Sequence, residues 1–192
     1  MSTTAQTPTY VPELVAGTWA IDPSHSDVSF TVRHMMVSKV RGHFSKFEGA
    51  ITVADDQLAS SVSASIDVTS VDTRDEARDN HLRSADFFDA ENFPTIDFRS
   101  TGVRPAGDGY VVSGELTIHG VSRPVDLVLE FNGVSPDPWG GTRAGFSART
   151  DISRKDFAID LQMPLDGGGV VIGDKIQIAL EVEAVLQLGP NA

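Results

Sequence analysis

The sequence predicts an all-β protein in which one antiparallel sheet closes into a barrel, and three features support this. Apolar and polar residues alternate in nearly every segment, as in strands with one dry and one solvated face. Short turns join roughly eight or nine such segments. The alternation is interrupted by only one helical pattern. Long one-faced strands favour a closed barrel because closure leaves no exposed edge, and a two-sheet sandwich is the alternative.

The clearest alternating segments lie near the N-terminus. Residues 1–16 are polar and predict a flexible segment, and the barrel domain is expected over residues 17–188. In residues 28–34 one parity is apolar apart from a histidine: Val28, Phe30, Val32 and His34. Further strands are predicted at residues 19–22, 47–53, 62–68, 96–98, 110–118, 125–131, 144–152 and 176–186.

A helical insertion is predicted between two of these strands. Thr73 and Glu76 match a capping box, in which a hydroxyl and a carboxylate bind free amides at a helix start. We therefore expect a helix over residues 74–83, with a solvated acidic first turn that includes Asp79.

Composition excludes several classes of protein. The formal net charge of −12 argues against nucleic acid as a partner and against docking on anionic membranes. The absence of cysteine excludes disulfides, thiolate metal sites and thiol nucleophiles. No apolar run approaches the ~20 residues of a membrane helix, so we expect no stable membrane insertion. The N-terminus does not resemble a signal peptide, and we expect a cytoplasmic protein.

No constellation of residues points to catalysis or to a metal. His25, His34 and His43 recur every nine residues, which matches no compact metal-binding motif. A Gly-x-Ser-x-Gly elbow is also missing. The sequence therefore predicts neither an enzyme nor a cofactor.

The expected inner face mixes large aliphatic residues with small ones such as Gly49, Ala64 and Gly114. An eight-stranded barrel either fills with side chains or encloses one small ligand, and small residues fit both outcomes. With so few polar groups inside, a cavity would suit a long apolar chain, since each buried CH₂ contributes about 0.8 kcal/mol.

Several motifs, in this order, resemble the YceI-like family of polyisoprenoid-binding proteins. They are TWAIDPSHS and FTVRH with VRGHF, then HLRSADFFD with FPTI, GELTIHGVSRPV, SRKDF and IGDKI, which together span residues 17–188. The resemblance implies an extended antiparallel eight-stranded, lipocalin-like barrel with a short helical insertion. It also implies that the protein binds, and carries or stores, a polyisoprenoid, an isoprenoid quinone or a fatty-acid derivative. Many relatives are periplasmic or secreted, whereas this sequence shows no recognisable leader.

Parity and resemblance together nominate the ligand-binding residues. The apolar chain is expected along Phe30, Val32, Phe98, Leu116, Ile118, Leu127, Leu129, Phe146, Ile178 and Leu180. Four residues at the end of the first long strand would meet a head group such as a phosphate: His34, Met36, Arg41 and His43. Two other functions stay open, an enzyme acting on a lipid-like substrate and a stress-related structural module with a filled core. A homodimer is a possible assembly.

Overall fold

The computed structural model describes residues 10–162 and 171–189, which form eleven strands and one α-helix. The strands are β1 (Gly17–Ile21), β2 (Asp27–His34), β3 (Ser38–Phe44), β4 (Phe47–Val53), β5 (Ser61–Asp67), β6 (Val71–Asp72), β7 (Thr95–Ala106), β8 (Gly109–Ile118), β9 (Val121–Pro136), β10 (Thr142–Ser153) and β11 (Ile172–Leu186). The helix α1 (Glu76–Arg83) lies between β6 and β7. No helix in the described ranges is both long enough and apolar enough to cross a membrane.

The last strand closes the sheet. One edge of β11 pairs with β10, and its other edge is shared between β2, which pairs at Ile176–Val32, and β1, which pairs at Ala184–Ile21. Consequently β1 and β2 form successive halves of one long barrel strand. Every pairing is antiparallel, and the ring contains eight such long strands. The predicted eight-stranded barrel is therefore confirmed, and the sandwich is excluded.

Short 3-10 turns divide two of the long strands. A 3-10 turn at Pro23–His25 separates β1 from β2, and the Asp22 carboxylate caps it by accepting from the Ser24 amide at 3.0 Å. A second turn at Val68–Ser70 separates β5 from β6 in the same way, capped by Asp67. These Asx-type caps satisfy amides that the sheet can no longer pair, so the strands bend without leaving donors unpaired.

The helix starts later than the capping box predicts. The N-cap is Asp75, whose carboxylate accepts from the Arg78 amide at 3.0 Å, and Arg74 has a left-handed backbone (φ 64°) that no helix can include. Thr73 instead donates its hydroxyl to Asp79 at 2.6 Å. Asp79 is therefore buried rather than solvated, and together these bonds hold α1 against β6.

Two clusters of buried residues lie towards opposite ends of the barrel. The first, here called the helix end, contains Phe44, Val68, Val71, Phe87, Ile96, Leu116, Ile118, Phe157 and Ile159. The second, the far end, contains Trp19, Val53, Ala144, Phe146 and Ala184. The middle of the barrel, between these two clusters, is where an interior space is left.

Residues 10–16 cover the far end, although the sequence places them in a flexible segment. The Gln57 side chain accepts from the Val11 amide at 2.6 Å and donates to the Val11 and Leu14 carbonyls at 2.8 and 2.6 Å. Leu14 packs against the Trp19 cluster. Residues 1–9 lie outside the described residues.

An ion-pair network on the outer surface fixes the β1–β2 kink to the barrel. The Arg143 guanidinium donates to Asp22 at 2.7 Å, to Glu183 at 2.6 Å and to Asp137 at 3.1 Å. Hydrogen bonds from the Ser24 hydroxyl, Arg143 and His25 hold the pKa of Asp22 well below its usual range. Arg143 thereby links β10, β11 and the loop after β9 beside the β1–β2 kink. This region, where β1 and β2 meet the edge of β11, is here called the closing seam.

The Asp22 interaction predicts a specific loss of stability in acid. Its pKa is lower in the folded state than the ~3.9 of an unfolded chain, so its contribution is complete above that value and declines as the pH falls below it. Asp22→Asn should therefore lower the free energy of unfolding at neutral pH and flatten its decline below about pH 4. Urea titrations across this pH range measure both effects, with Asp27→Asn, an exposed acid on β2, as the control. Equal acid dependence in wild type and Asp22→Asn would contradict the role of the network.

A second prediction concerns the close packing of Phe98 over Gly114. A Cβ at Gly114 would collide with the Phe98 ring and would lie 2.6 Å from the Arg99 carbonyl oxygen, which belongs to the backbone and cannot rotate away. Gly114→Ala should reduce the free energy of unfolding by about 1–3 kcal/mol. Gly102→Ala is the matched control, because nothing lies within 4 Å of the position that its methyl group would take. Denaturant unfolding of both variants tests this, and equal stabilities would be the contrary result.

Candidate ligand-binding tunnel

A single elongated cavity of about 700 Å³ occupies the barrel interior in the described part of the protein. Its wall includes residues from both ends, from Leu14 and Val53 at the far end to Phe87 and Phe157 at the helix end. Inward-facing side chains of the eight long strands form the rest of the wall, and nearly all of them are apolar. The cavity is therefore a tunnel with an apolar lining, and its volume falls within the ~300–1,000 Å³ of small-molecule sites.

Most of the residues nominated from the sequence lie on this wall. They are Phe30, Val32, His34, Phe98, Leu116, Ile118, Leu127, Leu129, Phe146, Ile178 and Leu180. The structure brings them together because strand parity directs them all to the inside of a closed sheet. Their contact with a ligand remains a prediction.

The exposure of these side chains shows that the barrel is hollow. Phe30, Leu127 and Ile178 point inward, yet each is only half-buried, because part of its surface faces the cavity. On β9, the residues on either side of Leu127 point outwards, and both of them, Asp126 and Val128, are exposed to solvent. A filled barrel would bury these inward residues completely. The inward side chains in the middle of the barrel, here called the mid-barrel layer, therefore lack packing partners.

Three nominated residues do not lie on the tunnel wall. Met36 is exposed in the turn between β2 and β3. Arg41 and His43 alternate with the inward residues of β3, so they point outwards, where the His43 imidazole lies 4.0 Å from Asp72. The physical reason is parity: Val40 and Phe44 occupy the inner positions of this strand.

Polar groups on the wall collect at the helix end. Besides His34 they are Arg33, Thr73, Asp75, Arg78, His81 and Arg154. At the far end the polar contributors are uncharged: Gln57, Ser60, Ser61 and Tyr110. Burial raises the pKa of the Tyr110 phenol, so this group stays neutral at physiological pH. The tunnel thus has one cationic end and one neutral end.

Arg78 lies on the tunnel wall at the helix end, and within the described part of the chain its guanidinium is bonded only to Thr73. Its guanidinium donates from Nε to the Thr73 hydroxyl and from Nη2 to the Thr73 carbonyl, both at 2.7 Å. Neither acceptor is charged, and no carboxylate lies within ion-pair distance of Arg78 among the described residues. Arg78 therefore has no direct ion pair with any residue that the structure describes, although the Thr73 hydroxyl that accepts from it donates in turn to Asp79, and it lies beside an apolar tunnel.

Two other cationic groups at this end, Arg154 and His81, are already engaged. Arg154 is buried, donates to the Gly173 and Ile159 carbonyls at 3.1 and 2.8 Å, and pairs with Asp174 at 3.2 Å. His81 lies 2.8 Å from Asp86 and meets the Phe87 ring edge to face, with centroids 4.9 Å apart. These bonds position the two side chains and leave Arg78 and Arg33 as wall cations without an ion pair among the described residues.

Sequence reasoning missed this polar end. The sequence predicts a solvated acidic first turn for this helix, so Arg78 and His81 are not among the residues nominated for the tunnel. Their spacing of three places them on one helix face, with Leu82 beside them, and this signal was available in the sequence. Arg154 carries no comparable signal, because it reaches the cavity only through the 3-10 turn Arg154–Phe157.

A group of possible metal ligands lies outside the barrel. Ligand atoms of Asp22, His25 and Glu183 all lie within 4.8 Å of one another. The Arg143 guanidinium already binds both carboxylates, at 2.7 and 2.6 Å. Its charge fills the position a cation would take, so the cluster is best explained as part of the structural network at the closing seam.

Comparison with known sequences gives a consistent result. A profile of the YceI-like domain matches residues 19–184. Protein YceI of Escherichia coli is 38% identical over 176 residues, which cover 90% of this chain and 89% of that protein. A UPF0312 protein of Vibrio cholerae is 41% identical over 140 residues, 72% of this chain and 74% of that protein.

Solved structures share the barrel. BcnA of Burkholderia cenocepacia superposes with a TM-score of 0.70 at 26% identity, over 85% of this chain and 98% of that chain. A polyisoprenoid binding domain from Saccharophagus degradans superposes with a TM-score of 0.67 over 90% of this chain and all of that chain. Its identity is 16%, so this second likeness shows the fold alone.

The resemblance found in the sequence motifs is thereby confirmed. The matched profile spans most of the barrel, and a relative well above 30% identity covers nine tenths of the chain. This chain belongs to the YceI-like domain family.

Proposed function

We propose that this protein binds a long-chain apolar lipid in the barrel tunnel and carries or stores it. The observation that supports this most directly is the apolar cavity of about 700 Å³ between two packed ends. A polyisoprenoid, an isoprenoid quinone and a fatty-acid derivative all have the long, thin shape that such a tunnel accepts. The name of the Saccharophagus degradans neighbour, a polyisoprenoid binding domain, agrees with the first of these.

Burial of the chain supplies the main driving force for binding, and it grows with chain length. At about 0.8 kcal/mol per CH₂, a chain of about ten carbons gains roughly 8 kcal/mol before the costs of association. The half-buried side chains of the mid-barrel layer, such as Phe98 and Leu180, would gain packing partners at the same time. No dedicated hydrogen bond to the chain is required.

The charge distribution orients the ligand. An anionic or hydrogen-bond-accepting head group would lie at the helix end, near the Arg78 guanidinium, and the tail would run towards the neutral far end. A charge-assisted hydrogen bond from a guanidinium is about twice as strong as a neutral one, so this contact would also discriminate between head groups.

The two alternative functions have less support. A structural module with a filled core disagrees with the cavity that the described barrel contains. For an enzyme, the tunnel would need a nucleophile next to a base. The Thr73 hydroxyl on the wall instead donates to the buried Asp79 and accepts from Arg78, an arrangement that anchors α1.

A direct test is native mass spectrometry of the purified protein, followed by extraction of any bound molecule. We expect a long-chain lipid at close to one per chain, or uptake of an added prenyl alcohol by lipid-free protein. Failure to bind any prenyl, quinone or fatty-acid chain would overturn the proposal.

Blocking the tunnel should abolish this binding. Leu127 points into the cavity and Val128 points to solvent, so Leu127→Trp fills the tunnel while Val128→Trp adds the same side chain outside it. We expect Leu127→Trp to lower affinity for a prenyl alcohol at least tenfold and Val128→Trp to leave it unchanged. Titration with a fluorescent lipid probe measures both, and circular dichroism verifies folding. Equal affinities in the two folded variants would refute the tunnel as the binding site.

The head-group contact is tested by comparing two ligands with the same chain. Arg78→Met should weaken binding of a prenyl phosphate by about tenfold or more, the usual range for losing a charged hydrogen bond, and should spare the matching prenyl alcohol. Arg78→Lys retains the charge and should restore part of the preference. If both ligands weaken equally in Arg78→Met, the residue acts only through its bonds to Thr73 and the head group lies elsewhere.

A further inference from the structure

The turn between β2 and β3 exposes an unusual amount of apolar surface. Met35, Met36 and Val37 are 45%, 51% and 85% exposed. These three residues, here called the hairpin tip, project from the helix end of the barrel, and the Met35 amide donates to the Val171 carbonyl at 2.7 Å. Water therefore contacts three adjacent large apolar side chains at one end of the molecule.

The backbone conformation of the hairpin tip is unfavourable for the residues that it contains. Met35 and Met36 both have left-handed backbones, with φ of 50° and 62°. Tight hairpin turns with two such residues strongly prefer Asn and Gly, which adopt this region at little cost. The chain instead carries two methionines here, so the turn keeps apolar side chains despite an unfavourable backbone.

Basic residues flank the hairpin tip on β2 and β3. Arg33 lies directly opposite Lys39 across the two strands, and Arg41 lies opposite Thr31. Like charges in direct cross-strand register repel one another. None of the three cations has an ion pair or a side-chain hydrogen bond with any described residue. The hairpin is thus a cationic surface that lacks an anionic partner within the described ranges.

This surface contrasts with the charge of the whole molecule. Residues 28–47 include Arg33, Lys39, Arg41 and Lys46 but no acidic residue, in a chain with a net charge of −12. On β11, which pairs with β2, Asp174 is already bound to Arg154 and Lys155 at 3.2 Å each. On β6, which pairs with β3, Asp72 lies 4.0 Å from His43. The basic residues of the hairpin therefore form no ion pair with these neighbouring acids.

The hairpin tip also adjoins the tunnel. His34 immediately precedes it, and Val32 and Val40 form the next inward pair of the same hairpin, and all three line the cavity. On the other side of the tip, Val171 and Ile172 also contribute to the tunnel wall. A molecule leaving the helix end of the tunnel would emerge beside the exposed methionines.

We propose that the β2–β3 hairpin docks the protein on an anionic lipid bilayer, with Met35–Val37 inserted among the head groups and Arg33, Lys39 and Arg41 paired with lipid phosphates. Apolar tips flanked by cations suit this interface because burial and charge attraction act together. The overall charge of −12 does not prevent it, because screening limits each charge to about 8–10 Å in physiological salt, so the local cations dominate at the contact. This inference goes beyond lipid binding in the tunnel and does not require the tunnel to be occupied.

Vesicle flotation tests the docking. Vesicles of phosphatidylcholine mixed with phosphatidylglycerol should carry the wild-type protein upward, and vesicles of phosphatidylcholine alone should not. Added salt should weaken the association. Lys39→Gln should reduce partitioning about fivefold, the usual effect of one cation at such a surface, and Val37→Asp should abolish it. Because these vesicles contain no prenyl lipid, the result is independent of tunnel binding.

A matched variant controls for net charge. Arg99→Gln removes an exposed cation from β7, on a different side of the barrel, and should leave partitioning unchanged. Absence of wild-type association with phosphatidylglycerol vesicles would overturn the proposal, as would equal losses in Lys39→Gln and Arg99→Gln. A Val37→Asp variant that changes the oligomeric state but not vesicle binding would also overturn it and would make the hairpin a contact between copies.

Fluorescence locates the inserted residues. Trp19 is fully buried, so Val37→Trp in a Trp139→Phe background provides one solvent-exposed indole at the hairpin tip. Its emission should shift to the blue on adding phosphatidylglycerol vesicles, and brominated lipids should quench it. The exposed Trp139 of the otherwise unchanged protein provides the comparison, since its loop contacts the closing seam near Arg143 rather than the hairpin, and it should not respond. A response from Trp139 but not from the indole at position 37 would place the contact surface elsewhere.

Discussion

Closure of the sheet along one edge of β11 is the constraint on which the rest of this structure depends. That edge pairs with two strands in succession, β2 and then β1, so a kinked chain segment closes the whole length of the barrel. The Arg143 network holds the kink where the two halves meet. In a closed ring, every side chain of the inward parity points towards the barrel axis, so these side chains together line one interior.

Whether such a lining encloses a cavity depends on where the large side chains lie. Trp19 and Phe146 pack one end, and Phe44, Phe87 and Phe157 pack the other. Between them the inward residues, among them Phe30, Phe98 and Leu127, are only half-buried, because they line the cavity and do not reach across the barrel. The hollow therefore lies in the middle, enclosed by aromatic residues at each end, and its apolar wall suits the hydrocarbon chain that we propose as the ligand.

The position of the charged groups favours one direction of the proposed ligand in the tunnel. It also favours one orientation of the protein at the proposed membrane surface. Polar wall groups collect at the helix end, where Arg78 lacks a carboxylate partner among the described residues, and the basic hairpin lies at the same end. Both features are exceptions within a strongly acidic protein. A net charge averages over the whole surface, whereas a contact responds to charges within a screening length, so composition is a poor guide to the surface that this end would meet.

The sequence by itself determined the strand class and most of the tunnel wall, and it indicated roughly eight or nine strands, because side-chain direction in a strand repeats every two residues and is a local property. Phe30, Leu127 and Ile178 could be assigned inward without coordinates. The tertiary structure alone decided the rest. Thr73 matches a cap, but a left-handed Arg74 moved the helix start to Asp75. Arg78 and Arg154 reach the tunnel through packing between elements distant in sequence, and the presence of a hollow depends on how facing side chains meet across a closed ring. Such long-range distances are not encoded in any local pattern.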